Sequence, residues 1–221
     1  MPTVNLQIAE DADDGHLTVG FGLSPGGVSL AMGRDGFIYH AWLRFVNVTV
    51  PQAATITAAT LVITGKNGES TAVELLIDGN DADNAANPVS EAGFDAMART
   101  TAAVAWDFST TWTADVEFTS PDISTVIQEV VDRAGWASGN ALIVFVRNDL
   151  GAGADNRRIG QTYAGAPAKS AKLNITYAGS GGKGSGGKGG GGKPPGGSQP
   201  PGKLKTFGIR SWPLGRRRLW D

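Results

Sequence analysis

FIYHAWLRF, residues 37–45, is rich in aromatic and aliphatic side chains and has no glycine or proline to interrupt it. Flat and branched side chains fit a pleated, buried surface, so the run predicts a β-strand. Working outward, similar short runs recur at residues 4–8, 17–21, 56–63, 73–77, 102–106, 141–148, 158–163 and 172–177, separated by clusters of Gly, Asn, Asp and Pro. In the last of them Leu173, Ile175 and Tyr177 alternate with polar neighbours, the period of a half-buried closing strand. Between 56–63 and 73–77 lies GKNGES, whose Asn67-Gly68 pair predicts a tight hairpin turn.

One segment departs from this pattern. In SPDISTVIQEVVDRAGWASGN, residues 120–140, Ile123, Val126, Ile127 and Val130 recur at three- and four-residue spacing. Ser120 or Asp122 is placed to cap the start of a helix and Gly135 its end. Many short strands, frequent turns and one short helix make an all-β, antiparallel jelly-roll β-sandwich the expected fold.

The 221 residues contain no cysteine and two histidines, so disulfides, thiolate metal sites and thiol nucleophiles are excluded. No stretch approaches the roughly 18 apolar residues of a membrane span. The opening MPTVNLQIAEDADDGHLTV lacks a basic segment followed by an apolar run, so no secretory leader is expected. Charge divides sharply: residues 1–178 carry a net −10, and residues 179–221 a net +8. Such asymmetry predicts either a separate partner for the basic end or its folding back on the acidic body, with the separate partner the leading expectation.

Three regions follow from composition: a sandwich over residues 1–178, a Gly/Lys/Pro linker over 179–202, and a basic, aromatic peptide over 203–221. A linker of this kind is expected to be flexible, with a root-mean-square span of about 25–30 Å. The closing peptide holds Phe207, Ile209, Trp212, Leu214, Leu219 and Trp220 beside Arg216, Arg217 and Arg218. Tryptophan and arginine dominate protein interfaces, and so many large apolar residues exceed what phosphate neutralisation needs. The expected partner is therefore a protein of a larger assembly rather than nucleic acid. Pro213, Gly208 and Gly215 would interrupt an amphipathic helix, which places a membrane surface last.

AWLRFVNVTVPQAATITAATLVI (41–63), DADNAAN (81–87), PDISTVIQEVVDRAGWASGNALIVFV (121–146) and TYAGAPAKSAKLNITY (162–177) occur in an order that resembles a β-sandwich module of bacterial extracellular and phage-associated proteins. That module is similar to jelly-roll carbohydrate-binding and calcium-dependent adhesion domains. The resemblance covers nearly all of residues 1–178 and implies binding rather than catalysis. Residues from 179 onward have no counterpart in it.

Two acidic loops are candidate ligand sites. EDADDG holds Glu10, Asp11, Asp13 and Asp14, clustered carboxylates of the kind calcium favours, although the spacing fails the helix–loop–helix template. The resemblance adds that related sandwiches hold calcium near an N-terminal strand; a solvated acidic turn is the competing reading. DGNDADNAAN offers Asp78, Asn80, Asp81, Asp83 and Asn84 to calcium or sugar hydroxyls, against the ordinary use of such residues in turns. Pyranose rings stack on aromatic faces, and Trp106, Trp112 and Trp136 are candidate platforms. Trp112 is the best exposed candidate, with Trp42 expected in the core and Trp136 packing the end of the helix. GLSPG, residues 22–26, matches G-x-S-x-G only formally, because Pro25 lacks the N–H an oxyanion hole needs. The expected function is thus a non-enzymatic virion protein, a phage capsid decoration, fibre or tail-associated module. It would be attached to capsid or tail proteins through residues 203–221, with a host polysaccharide and a second copy as further partners. The alternative is a secreted or surface carbohydrate-binding module of a bacterium.

Overall fold

The computed structural model describes residues 1–149 and 156–179, and these form the antiparallel β-sandwich expected from the sequence. The strands are β1 (Thr3–Gln7), β2 (Asp14–Thr18), β3 (Gly22–Pro25), β4 (Leu30–Asp35), β5 (Phe37–Phe45), β6 (Thr55–Thr64), β7 (Leu75–Gly79), β8 (Val104–Ala105), β9 (Glu117–Thr119), β10 (Leu142–Asn148), β11 (Arg157–Gly160) and β12 (Lys172–Ala178). One sheet has the order β1-β12-β6-β9. The larger runs β11-β4-β5-β10-β7-β8, and β2 joins it beside β5 with β3 outside β2. Chain segments alternate between the two sheets, which buries each inner face against the other. The anchor peptide and nearly all of the linker lie outside the described residues.

β5 shows why its sequence, His40 and Arg44 apart, is apolar at consecutive positions. Ala41, Leu43 and Phe45 enter the main core between the sheets, while Trp42 enters a second core on the opposite face. A strand buried on both faces loses the polar alternation that a strand with one face toward solvent, such as β12, retains. The second core, with Leu17, Ala85, Phe94, Ile143 and Phe145, is covered by the excursion after β7 and its one-turn helix α1 (Glu91–Asp95). Ser90 caps α1, its Oγ accepting the Gly93 N–H at 3.0 Å. No periodicity announces so short a helix.

The longer helix, α2 (Ser124–Val131), lies where expected and buries Val126, Ile127, Val130 and Val131. Asp122 serves its start, accepting the Ser124 N–H at 3.0 Å and also the Ala59 N–H at 2.9 Å. The predicted hairpin at Asn67-Gly68 is corrected: β6 and β7 belong to different sheets, so GKNGES is a crossover. Its Glu69 instead bridges Trp112, exchanging two backbone hydrogen bonds of 2.8 and 2.6 Å.

Candidate functional site

The expected calcium loop does not assemble a cation cage. Asp13 is buried on the outer face of the larger sheet, where its Oδ1 accepts from Arg44 Nη1 at 2.8 Å and from Asn87 Nδ2 at 2.9 Å. Asp14 pairs in register with Leu43 and points between the sheets, its Oδ2 accepting the Tyr163 N–H at 2.8 Å. Asp13 closes a 3-10 turn over Asp11–Asp13 and Asp14 opens β2, and their different hydrogen-bond partners separate the adjacent carboxylates rather than pool them. Glu10 and Asp11 are exposed. An arginine already neutralises Asp13, and among the described residues no group of three or more acidic or histidine side chains is placed to hold a metal. The residues do not fit calcium.

The second acidic loop is also spent internally. Arg133 reaches Asp83 Oδ1 through Nε at 2.7 Å and Asp81 through Nη1. Asn84 Oδ1 accepts the Ala141 N–H at 2.8 Å. Together these contacts sew the loop to the connection between α2 and β10. Gly135 permits the approach, because a Cβ there would lie 2.1 Å from Asp83 Oδ2. Asp78 is buried and ion-paired with Arg147.

The exposed platform expected at Trp112 is corrected as well: its side chain is 0% exposed. It stacks on Phe118 at 4.1 Å between ring centres, and its Nε1–H donates to Ile159 O at 3.0 Å. The bridges Val73–Phe108 and Glu69–Trp112 fold WDFSTTW inward at the margin of the sandwich. Trp42 and Trp136 are buried, as expected.

Exposed aromatic surface appears instead at two turn tips. Phe21, at the β2–β3 turn, is 74% exposed, and Phe37, after the β4–β5 turn, is 47% exposed. Their rings meet edge to face at 4.8 Å. The Val19 N–H donates to Ile38 O at 3.0 Å and ties the two turns together. Gly20 (φ +82°) and Gly36 (φ +66°) take the left-handed conformations that such tips require.

Beside this pair lies a polar pocket of ≈ 180 Å³, lined by Asp35, Glu69, Thr71, Asn156 and Arg157. Asp35 sits opposite Phe37 in the β4–β5 register, which joins pocket and aromatic pair. Arg157 holds Asp35 through Nε at 3.2 Å and donates from Nη1 to the Tyr39 hydroxyl at 3.3 Å. Beneath them Arg158 is fully buried, donating to the Arg157 and Thr71 carbonyls while its Nε has no partner among the described residues. Glu69 Oε2 is likewise buried without a partner. Burial raises the Glu69 pKa, against the lowering influence of Arg158 and Arg157. Fixed donors and acceptors beside an exposed aromatic face are what a hydroxyl-rich ring requires for orientation and stacking. Sequence reading passed over Phe21, Asp35, Phe37, Glu69 and Arg157. The available signal was an aromatic residue between two glycines, Gly20-Phe21-Gly22, since an apolar side chain at a sharp tip has no core to enter.

GLSPG is not a nucleophile elbow, because Ser24 lies within β3, paired with His16, rather than on a strand-to-helix turn. No protein-family model matches the chain, and no curated protein matches it. Among solved structures it is similar to an exo-β-1,3-galactanase of Phanerochaete chrysosporium determined with galactose, with a TM-score of 0.32 and 13% identity. The match covers 80% of this chain and 30% of that one, a likeness too weak to carry a functional conclusion.

Proposed function

We propose that the chain is a non-enzymatic binding module of a phage particle, a capsid decoration, fibre or tail-associated protein that is held by residues 203–221 and presents a sugar-binding edge on its sandwich. The observation that carries the binding part is the Phe21–Phe37 pair set against the Asp35, Glu69 and Arg157 pocket. The loop carboxylates also favour a scaffold over a catalyst, since Asp13, Asp78, Asp81 and Asp83 are each neutralised by an arginine. The particle assignment rests on the resemblance of nearly all of residues 1–178 to phage-associated modules and on the apolar, basic composition of 203–221. A bacterial carbohydrate-binding module shares the sugar-binding edge and differs in what the C-terminal peptide holds.

Affinity electrophoresis of the full chain through host-surface polysaccharide tests the edge. Phe37→Ala and Phe21→Ala should each weaken retention by about tenfold or more, the usual cost of truncating a stacking anchor. Unchanged retention in both variants excludes this edge as the sugar site. Attachment is tested separately by deleting residues 203–221, which should release the module from particles while leaving sugar retention intact. Continued sedimentation with the particles rejects the anchor.

A further inference from the structure

A second surface lies apart from the polar pocket. A groove of ≈ 620 Å³ runs between β3 and the loop before α1, lined by Leu23 and Pro25 on one side and by Pro88, Val89 and Glu91 on the other. Val89 is 92% exposed, and Leu23, Pro25 and Pro88 complete the apolar lining of the groove. A single exposed valine needs no explanation, but a contiguous apolar strip marks an interaction surface. The strip is held in shape: Glu91 Oε1 accepts the Gly20 N–H at 2.7 Å, fastening the loop to the β2–β3 turn.

Two observations define the occupant. First, β3 pairs with β2 alone, so among the described residues its far edge takes no strand. An open edge offers backbone donors and acceptors to an extended segment. In β3 Pro25 supplies only its carbonyl, so pairing rests on Gly22, Leu23 and Ser24, and alternate side chains of the segment then enter the adjacent groove. Second, the rim is acidic. Glu91 lines the groove, and Asp11 precedes the lining residue Ala12; a Cβ on Gly26, next to Pro25, would lie 3.3 Å from Asp11 Cβ. The surrounding sandwich sequence carries a net −10. Acidic groups around an apolar groove favour a cationic partner and disfavour an anionic one.

We propose that this groove receives an extended segment of a partner protein, apolar at alternate positions and flanked by lysine or arginine, which adds beside β3. The docking surface is independent of the sugar-binding edge and of the particle assignment.

The test uses the full chain and two labelled synthetic peptides that share an alternating valine–threonine centre, one flanked by lysines and the other by glutamates. Fluorescence anisotropy should show saturable binding of the lysine-flanked peptide, with affinity falling as salt rises, and binding about tenfold weaker for its glutamate-flanked twin. Val89→Asp, at a side chain already in solvent, should remove the binding, whereas Val116→Asp, 44% exposed on another part of the surface, should not. Circular dichroism of both variants establishes that each remains folded. No saturable binding, equal binding of both peptides, or binding unaffected by Val89→Asp overturns the proposal. So does displacement of the peptide by soluble host polysaccharide, which makes the groove a sugar site. Self-association that Val89→Asp abolishes also overturns it, because the occupant is then a second copy of the chain.

Discussion

Asp14 carries an unusual electrostatic load for a β-sandwich. Burial pushes its carboxyl up to about 7, opposed by the Tyr163 N–H and reinforced by Asp11 and Asp13. Its Oδ1 finds no partner among the described residues. Because the folded-state value exceeds the unfolded one, the folded chain binds more protons between about pH 4 and 7, and this group's contribution to stability falls as pH rises through that window. His40 works in the opposite sense. Burial, with Arg147 and Arg99 nearby, holds its imidazole down to about 4, so its contribution grows as pH rises from about 4 to 6.5. The two effects overlap, and a comparison of variants separates them. Asp14→Asn keeps an acceptor for Tyr163 and removes the ionisation. It should raise the melting temperature at pH 7.5 and change it little at pH 4, by a margin on the order of 2 kcal/mol at the higher pH. Equal melting temperatures at pH 7.5 would place the charged carboxylate in water rather than between the sheets. Asp81 and Asp83 are both ion-paired with Arg133. Their replacement should lower thermal stability by loosening Arg133, without the direct loss of sugar retention expected at Phe37.

Among the elements, composition hid β3, β4 and β9, and β4 is the longest of the three. LAMGRD alternates poorly and contains Gly33, yet Leu30 and Met32 are fully buried in the main core. Gly33 adopts φ +103° where β4 is flanked by β5 and β11, and a Cβ there would lie 2.7 Å from Asn156 O and 2.9 Å from Val73 Cγ2. Gly33→Ala therefore combines backbone strain with a collision against main chain and should cost about 1–3 kcal/mol, read from urea unfolding midpoints. Gly20→Ala supplies the contrast. Its φ of +82° is also left-handed, but the space around it is open, so the cost should be about 1 kcal/mol or less. A larger loss at Gly20 than at Gly33 would reverse the assignment of the crowded position. Such a glycine is silent in the sequence because nothing local tells a strand that a neighbouring backbone passes within contact distance. Strands β5, β6 and β10 were legible for the opposite reason, their apolar runs being long enough for burial to show in composition alone, and β12 was legible from its two-residue alternation.

For the whole molecule, both cores draw their described members from residues between Val4 and Tyr177. A chain ending at Gly179 should therefore unfold cooperatively, with a melting temperature within a few degrees of the full chain's, by differential scanning calorimetry. A broad, non-cooperative transition would show that the remaining residues are needed for folding. Local pattern by itself determined the all-β class, the strand periods, α2 and the division of charge, because these depend on side chains within a few residues of one another. The buried places of Trp42 and Trp136 were legible too, each beside an apolar segment. The direction of every other candidate group was a tertiary matter. Trp112 turned inward because strands distant in sequence closed over it. Asp13 and Asp83 lost their ligand capacity to Arg44 and Arg133, which lie 31 and 50 residues away along the chain. Phe21 and Phe37 became neighbours only when two turns met across the sheet. A carboxylate or an aromatic ring has the same identity whether it is spent on packing or left facing solvent, and only the folded arrangement of its distant partners decides between them.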